Sequence, residues 1–324
     1  MTKAIRIHET GGPEVMRWED VVDRQPGPGE ALVRHTAVGV NFIDVYHRTG
    51  LYPAPLPAVL GLEAAGVVEA VGAGVVEVQV GDRVAYAGGP LGAYSERRVI
   101  PADRLVPLPH EIADVQAAGM MLKGMTAQYL LRRTFPVTAG DTVLVHAAAG
   151  GVGLILCQWA KHLGATVIGT VGSEDKAALA KAHGCDHPIL YKSQDFVAKV
   201  RELTDGKGVP VVYDGVGADT FLGSLDCLRP LGMMVSFGQS SGKIPPVDLG
   251  ILSAKGSLFL TRPTLMTYTA LRQDLMASAA ELFDVVKRGF VAIEVAATRP
   301  LAEAAEAHRD LTGRKTTGST VLLP

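Results

Sequence analysis

Two patterns of apolar and polar positions divide the chain. Up to about residue 122, short apolar stretches at 31–40, 66–71 and 83–86 alternate with turns such as Pro26-Gly27-Pro28-Gly29, Gly72-Ala73-Gly74 and Gly88-Gly89-Pro90. That pattern predicts many short strands in a barrel-like or sandwich domain. After Lys123 the pattern changes. Residues 126–133 read as a helix, and 142–146 form a continuous β-branched and apolar run, as in a strand buried on both faces. A glycine-rich turn and a helix to Leu163 follow. Strands at 166–171, 209–214 and 233–237 then alternate with helices at 175–183, 196–203 and 220–228. Alternation of this kind predicts βαβ units and a parallel sheet.

The sheet is complete by residue 261. The tail, with helices near 271–288 and 301–311 and a strand at 319–323, has as its simplest role a return to the first domain. The expected division is therefore 1–124, 125–261 and 262–324, an α/β chain with a doubly wound parallel sheet inserted into a mostly-β domain.

Composition narrows the classes. A chain of 324 residues exceeds the usual size of a single core, so two domains are expected. With 31 basic against 33 acidic residues the net charge is −2, which favours neither nucleic acid nor an anionic membrane as main partner. Cys157, Cys185 and Cys227 form no CxxC pair and indicate neither a disulfide framework nor a thiolate zinc site. The N-terminal residues enter an alternating pattern with no signal-peptide h-region, and no run of about 18 apolar residues occurs. A cytoplasmic protein is expected.

The segment Val143-Leu-Val-His-Ala-Ala-Ala-Gly-Gly-Val-Gly153 places a small-residue turn between a buried strand and a helix. Backbone amides at such a helix start, with the helix dipole, suit a pyrophosphate. The spacing Ala147-x-x-Gly150-x-x-Gly153 is a variant of GxGxxG, a weak signal alone that gains weight from its place at the head of a βαβ series. An NAD site carries an acid at the end of the second strand, about 20 residues on. Here that end reads Thr170-Val171-Gly172-Ser173. Ser173 and Lys176 suit a 2′-phosphate, while Glu174 and Asp175 fall where they complement a helix N-terminus. NADPH is expected over NADH. Gly215-Val216-Gly217 and Phe237-Gly238-Gln239-Ser240, at other strand ends, fit the same site.

Several longer stretches carry a resemblance: Asn41-Phe-Ile-Asp44-Val-Tyr46-His-Arg-Thr-Gly-Leu-Tyr52-Pro, Leu122-Lys-Gly-Met-Thr126-Ala, His146-Ala-Ala-Ala-Gly-Gly-Val-Gly153 and Met234-Val-Ser-Phe-Gly-Gln-Ser-Ser-Gly242. Over essentially its whole length the chain resembles the NADPH:quinone oxidoreductases, the zeta-crystallin-like group of the medium-chain dehydrogenase/reductase superfamily. The resemblance implies a Rossmann domain inserted into a GroES-like catalytic domain, NADPH as cofactor, a quinone substrate, and a homodimer pairing strands near 257–260. It implies that Asn41, Tyr46 and Tyr52 lie at the nicotinamide and substrate pocket. Cofactor contacts carried over with it are Asp44, Lys123, Thr126, Gly150, Gly151, Val152, Gly172, Ser173, Lys176, Tyr191, Gly215, Phe237, Gly238, Gln239, Ser240 and Arg262. A further contact falls near Thr317-Gly318, where a lysine frequent in relatives is Ser319 here.

Zinc-dependent relatives carry Gly-His-Glu and a catalytic cysteine. Here the motif is Gly61-Leu62-Glu63, Asn41 stands at the cysteine position, and leucine cannot ligate zinc. No metal is expected, and His35, His146 and His187 read as packed or solvated residues; only His47, near the Asn41–Tyr52 motif, stands close to candidate chemistry. Without a Lewis acid, a conjugated acceptor is the easier substrate, with hydride passing from the nicotinamide and Tyr46 or Tyr52 as hydrogen-bond donors or simply as pocket walls. Two alternatives stay open: reduction of α,β-unsaturated aldehydes or ketones, and an NADPH-regulated RNA-binding or structural role.

Overall fold

Strand Glu30–Gly39 is the axis of the first unit in the computed structural model, which describes residues 1–324. It pairs with Glu63–Val71, Arg97–Pro101 and Ser319–Leu323 in one sheet, whose remaining strands are Val295–Pro300, Arg83–Ala87 and Val106–Pro107. A smaller sheet runs Arg17–Val21, Thr2–Ile7, Ala58–Val59. Val33, Val38, Leu60, Val84, Tyr86, Ile100 and Leu105 pack between them, the apolar alternation turned inward. This unit comprises Met1–Met125, Tyr268–Lys287 and Ile293–Pro324. The tail rejoins it through the antiparallel pairs Val321↔Gly39 and Leu322↔Val38. Strand Val295–Pro300 adds to the elements the sequence predicts; its side chains are mostly exposed and carry no apolar period.

The second unit comprises Thr126–Thr267 and Arg288–Ala292. Its parallel sheet has six strands in the order His187–Leu190, Thr166–Val171, Thr142–Val145, Val209–Asp214, Leu228–Ser236, Phe259–Thr261. Every residue of Val209–Asp214 is buried, as a central strand covered on both faces requires. The order reverses on either side of Thr142–Val145, so a ligand crevice is expected at the carboxyl end of that strand.

The helix expected at 126–133 is in fact Asp114–Tyr129, followed by a π-helical turn, Leu130–Thr134. Ala117, Ala118, Met120, Met121 and Met125 are all buried, so no polar face marks the helical period. The Tyr213 hydroxyl lies 3.2 Å from the Leu130 carbonyl oxygen and donates to the widened turn.

Candidate functional site

In the first unit the site is built around the start of helix Phe42–Arg48. Asn41 is its N-cap, with extended backbone, and its N–H donates to Asp44 Oδ2 at 2.9 Å. This is one arm of a capping box, with aspartate in the place where glutamate is common. The Asn41 side-chain amide donates to Glu63 Oε2 at 2.7 Å. Glu63 Oε1 accepts the Leu122 N–H at 2.7 Å, and Lys123 Nζ lies 3.4 Å from Oε2. The Glu63 carboxylate and the Lys123 ammonium thus form a buried ion pair with further donors on the anion, the condition under which burial is tolerated. Gly39 makes the room: a Cβ there would sit 2.2 Å from Glu63 Oε2.

A second buried chain begins at Asp44. The Tyr94 hydroxyl donates to Asp44 Oδ2 at 3.0 Å and lies 3.0 Å from His308 Nε2; His308 Nδ1 lies 3.0 Å from an Arg48 guanidinium nitrogen. Arginine only donates, so His308 Nδ1 accepts and Nε2 carries the hydrogen given to Tyr94. Burial drives His308 down to about 3, keeping it neutral, and pushes the Asp44 carboxyl up to about 7. Asp44 Oδ1 is buried without a hydrogen-bond partner. Gly61 admits Tyr94: its φ is +92°, and a Cβ would lie 2.3 Å from the Tyr94 ring.

Tyr46 is buried and Tyr52 half-buried, their rings edge to face at 5.2 Å, with the Tyr52 N–H donating to the Tyr46 carbonyl at 3.0 Å. His47 packs edge-on to Tyr52 at 5.8 Å. Ser319 is buried and its hydroxyl donates to the Gly119 carbonyl at 2.6 Å. The position at which relatives often carry a lysine is here a packing residue.

In the second unit, helix Gly151–His162 begins at Gly150 with no side-chain cap, leaving its first amides available to an anion. Ala147 adopts φ 53°, and a Cβ on Gly153 would meet the Ala147 carbonyl oxygen at 2.2 Å. The turn is therefore closed to larger side chains at Gly153, as a backbone-to-phosphate cradle demands. Gly151 and Val152 form the first turn of that helix. Ser173 caps helix Glu174–Ala182, its hydroxyl accepting the Lys176 N–H at 3.4 Å. Glu174 and Asp175 are that helix's first residues. Gly172 lies under the Tyr191 hydroxyl, 3.0 Å from the position of a Cβ.

Two further turns face each other: a Cβ on Gly238 would meet the Gly215 carbonyl oxygen at 2.5 Å, and one on Gly215 would meet the Phe237 ring at 3.0 Å. Arg262 fixes the second turn by donating to the Ser236 and Gly238 carbonyls at 2.7 and 3.1 Å. Gln239 and Ser240 follow within that turn, and the Ser240 N–H donates back to the Gly215 carbonyl at 3.2 Å. Thr126 is buried one turn after Lys123 on helix Asp114–Tyr129.

Sequence reasoning passes over Glu63 as a site residue and misses Tyr94, His308 and Arg48. The signals for Glu63 are its place in Gly61-Leu62-Glu63, the counterpart of Gly-His-Glu, and its charge in an otherwise apolar Gly-Leu-Glu-Ala-Ala stretch. Nothing local marks Tyr94, whose partners Asp44 and His308 lie 50 and 214 residues away, and nothing local marks His308.

Comparison with known proteins adds identity to this geometry. Residues 27–110 match the model of the alcohol dehydrogenase GroES-like domain, and 151–284 that of zinc-binding dehydrogenase. The chain is 56% identical to a quinone oxidoreductase of Pseudomonas aeruginosa over 100% of both chains. It is 52% identical to a 2-haloacrylate reductase of Burkholderia sp, over 100% of this chain and 99% of the other. The structure of Escherichia coli quinone oxidoreductase complexed with NADPH superposes with a TM-score of 0.98 at 49% identity, covering 99% of this chain and 100% of that one.

Proposed function

Because this chain belongs to the quinone oxidoreductase family of the medium-chain dehydrogenase/reductase superfamily, we infer that it transfers reducing equivalents from NADPH to quinones. The observation that carries the reading is the uncapped start of helix Gly151–His162 behind a turn closed to side chains at Gly153. These residues fit a dinucleotide: the amides of Gly151 and Val152 suit the pyrophosphate, and Ser173 with Lys176 suits the adenosine 2′-phosphate. Thr126, Gly172, Tyr191, Gly215, Phe237, Gly238, Gln239, Ser240 and Arg262 complete the proposed cofactor surface. Bound NADPH supplies the reducing equivalents.

The chain's own part is positioning and charge. Glu63 aligns the Asn41 amide, and the Glu63–Lys123 pair keeps an ammonium beside it. In the proposed site Asn41 orients the ring that reacts and Lys123 holds the cofactor side. Asp44, expected as a cofactor contact, is fully buried and acts only by bracing the Asn41 N–H. Tyr46 and Tyr52 wall the quinone, with a hydroxyl available to the oxygen that gains charge. In place of the expected division at 124 and 261, the proposed catalytic part is 1–125 with 268–287 and 293–324, and the proposed nucleotide-binding part is 126–267 with 288–292. The reading needs no zinc: Leu62 has no donor atom, and the Asn41 amide is bonded to Glu63.

The proposal extends to a homodimer through the edge strand Phe259–Thr261 and to a cytoplasmic location; no helix is long and apolar enough to cross a membrane. A second reading, reduction of activated carbon–carbon double bonds, is favoured by the 52% identity to a 2-haloacrylate reductase. Steady-state oxidation of NADPH and NADH with 1,4-benzoquinone and with an enone, in the presence of a chelator, tests both. Fast, chelator-indifferent quinone reduction with NADPH is expected. Enone turnover far above quinone turnover would reverse the order.

A further inference from the structure

His146 follows strand Thr142–Val145 immediately before the phosphate turn, and it is buried. Its ring touches polar groups from a neighbouring strand and a helix. Nδ1 lies 2.9 Å from the Thr170 hydroxyl, on strand Thr166–Val171, and Nε2 lies 2.9 Å from the Ser224 hydroxyl, on helix Phe221–Cys227. The Ser224 hydroxyl is 3.1 Å from Asp214 Oδ2, which also accepts the Thr220 hydroxyl at 2.7 Å. Asp214 Oδ1 accepts the N–H groups of Val216 and Gly217 at 2.7 and 3.0 Å.

The Ser224 hydroxyl also lies 2.8 Å from the Thr220 carbonyl, and that carbonyl and the Asp214 carboxylate only accept. With its one hydrogen given to either of them, Ser224 accepts from His146 Nε2–H, and His146 Nδ1 accepts from Thr170. Burial lowers the His146 pKa and keeps the ring neutral, as this direction requires. The Phe196 ring, edge-on at 5.1 Å, closes off the imidazole. The chain lies directly beneath the proposed cofactor turns. Thr170 stands two residues before Gly172, His146 one before Ala147, and Asp214 one before Gly215, whose turn packs on Gly238.

We propose that His146, with Thr170, Ser224 and Asp214, is a positioning group for NADPH. It locks the turns at 147–153, 172–173 and 215–217 into one register, so that pyrophosphate, 2′-phosphate and nicotinamide ends are bound together. This rests on the reading of the unit as an NADPH site. The strands are otherwise joined by main-chain bonds along their length, whereas this polar chain crosses the sheet at the ligand end. His146 is buried beneath these turns and closed off by Phe196, so it cannot itself meet the cofactor. Its effect passes through backbone that does, and so belongs to cofactor affinity rather than to the chemical step.

The test compares Thr170→Val, Thr170→Ser and Ser224→Ala in the full chain, reading NADPH affinity by fluorescence titration, kcat and both KM values, with melting temperature alongside. Loss of one of these hydroxyls, with the hydrogen bonds it makes in the chain, is expected to raise the NADPH Kd and KM about fivefold to tenfold. Quinone KM and kcat at saturating NADPH stay near wild type, and Thr170→Ser, which keeps the hydroxyl, restores wild-type NADPH affinity. Combining Thr170→Val with Ser224→Ala costs less than the product of the two, because they break one chain. Unchanged NADPH affinity, equal effects of Thr170→Val and Thr170→Ser, or a fall in kcat alone would overturn the proposal. Absence of NADPH binding by the wild-type protein would instead overturn the cofactor reading on which it stands.

Discussion

The side-chain amide of Asn41 donates to Glu63 across 2.7 Å inside the first unit. In the zinc-dependent relatives these two positions would carry a catalytic cysteine and the glutamate of Gly-His-Glu. Here they bond to each other. The carboxylate also accepts the Leu122 N–H and faces Lys123, so every donor around it is directed and the amide has one orientation. In the proposed site, an amide fixed in this way needs no reorganisation when a conjugated acceptor arrives.

Glu63→Gln keeps the volume and removes the charge. Lys123 is then buried without its carboxylate, and glutamine offers one acceptor oxygen where glutamate offered two, so either the Asn41 amide or the Leu122 N–H faces an –NH2 group. Stability is expected to fall by roughly 1–3 kcal/mol, read by denaturant titration. Quinone kcat is expected to fall about tenfold to a hundredfold through misplacement of Asn41. Wild-type kcat in a folded Glu63→Gln protein would show that the amide's orientation does not matter to the reaction.

Asp44 and His308 give stability opposite dependences on pH although they share one hydrogen-bond chain through Tyr94. Burial raises the Asp44 carboxyl from 3.8 to about 7, so its contribution is present in full at low pH and is lost as pH rises through about 7. Burial lowers His308 from 6.5 to about 3, so its contribution is present above 6.5 and is lost as pH falls through about 3. Asn41, Tyr94, Glu63 and Lys123 are the groups acting on the Asp44 carboxyl. Asp44→Asn removes only the first contribution. Its stability relative to wild type should therefore rise between about pH 4 and 7, by roughly 1.4 kcal/mol per pH unit. Parallel stability curves for the two proteins would refute the assignment.

The nucleotide-binding unit is the more legible half. A buried β-branched run, a small-residue turn and a helix are adjacent in sequence, so strand Thr142–Val145 and helix Gly151–His162 stand out from local pattern alone. The first unit, the proposed catalytic part, hides its logic in long-range pairs. Asn41 meets Glu63 from 22 residues away, and Arg48 meets His308 from 260. His308 sits on a helix whose alanines alone show the buried face, so nothing local distinguishes it from a solvated histidine. His146 reads in the sequence as a packed or solvated residue; it is buried, and its two hydrogen-bond partners lie 24 and 78 residues on, beyond any local pattern.

In the proposed site, cofactor choice rests on Ser173 and Lys176 at the start of helix Glu174–Ala182, where a helix N-terminus favours a phosphate. Lys176→Ala removes one cation from a site that matters only when a 2′-phosphate is present. kcat/KM for NADPH is expected to drop about tenfold while that for NADH changes by less than about twofold. Equal losses with both cofactors would place Lys176 outside the 2′-phosphate site.

Strand Phe259–Thr261 pairs with Leu228–Ser236 on one side only and forms the edge of the six-stranded sheet. Phe259 is 57% exposed and Leu260 39%, and Leu231, whose main chain is hydrogen-bonded to Gly256, is 67% exposed. Unpaired main-chain groups flanked by large apolar side chains form an adhesive edge that single chains normally blunt with charge or proline. A second copy of the same strand satisfies both needs: antiparallel pairing about a twofold axis closes the ladder, and the apolar side chains meet their own kind. Leu260→Lys places a charge in that contact and, by symmetry, its like charge nearby. Light scattering should then show monomer where wild type shows dimer. NADPH binding should persist, since Leu260 lies outside the turns at 147–153, 172–176 and 237–240. A wild-type protein that is monomeric at micromolar concentration, or a Leu260→Lys variant that stays dimeric, would remove the edge strand as the interface.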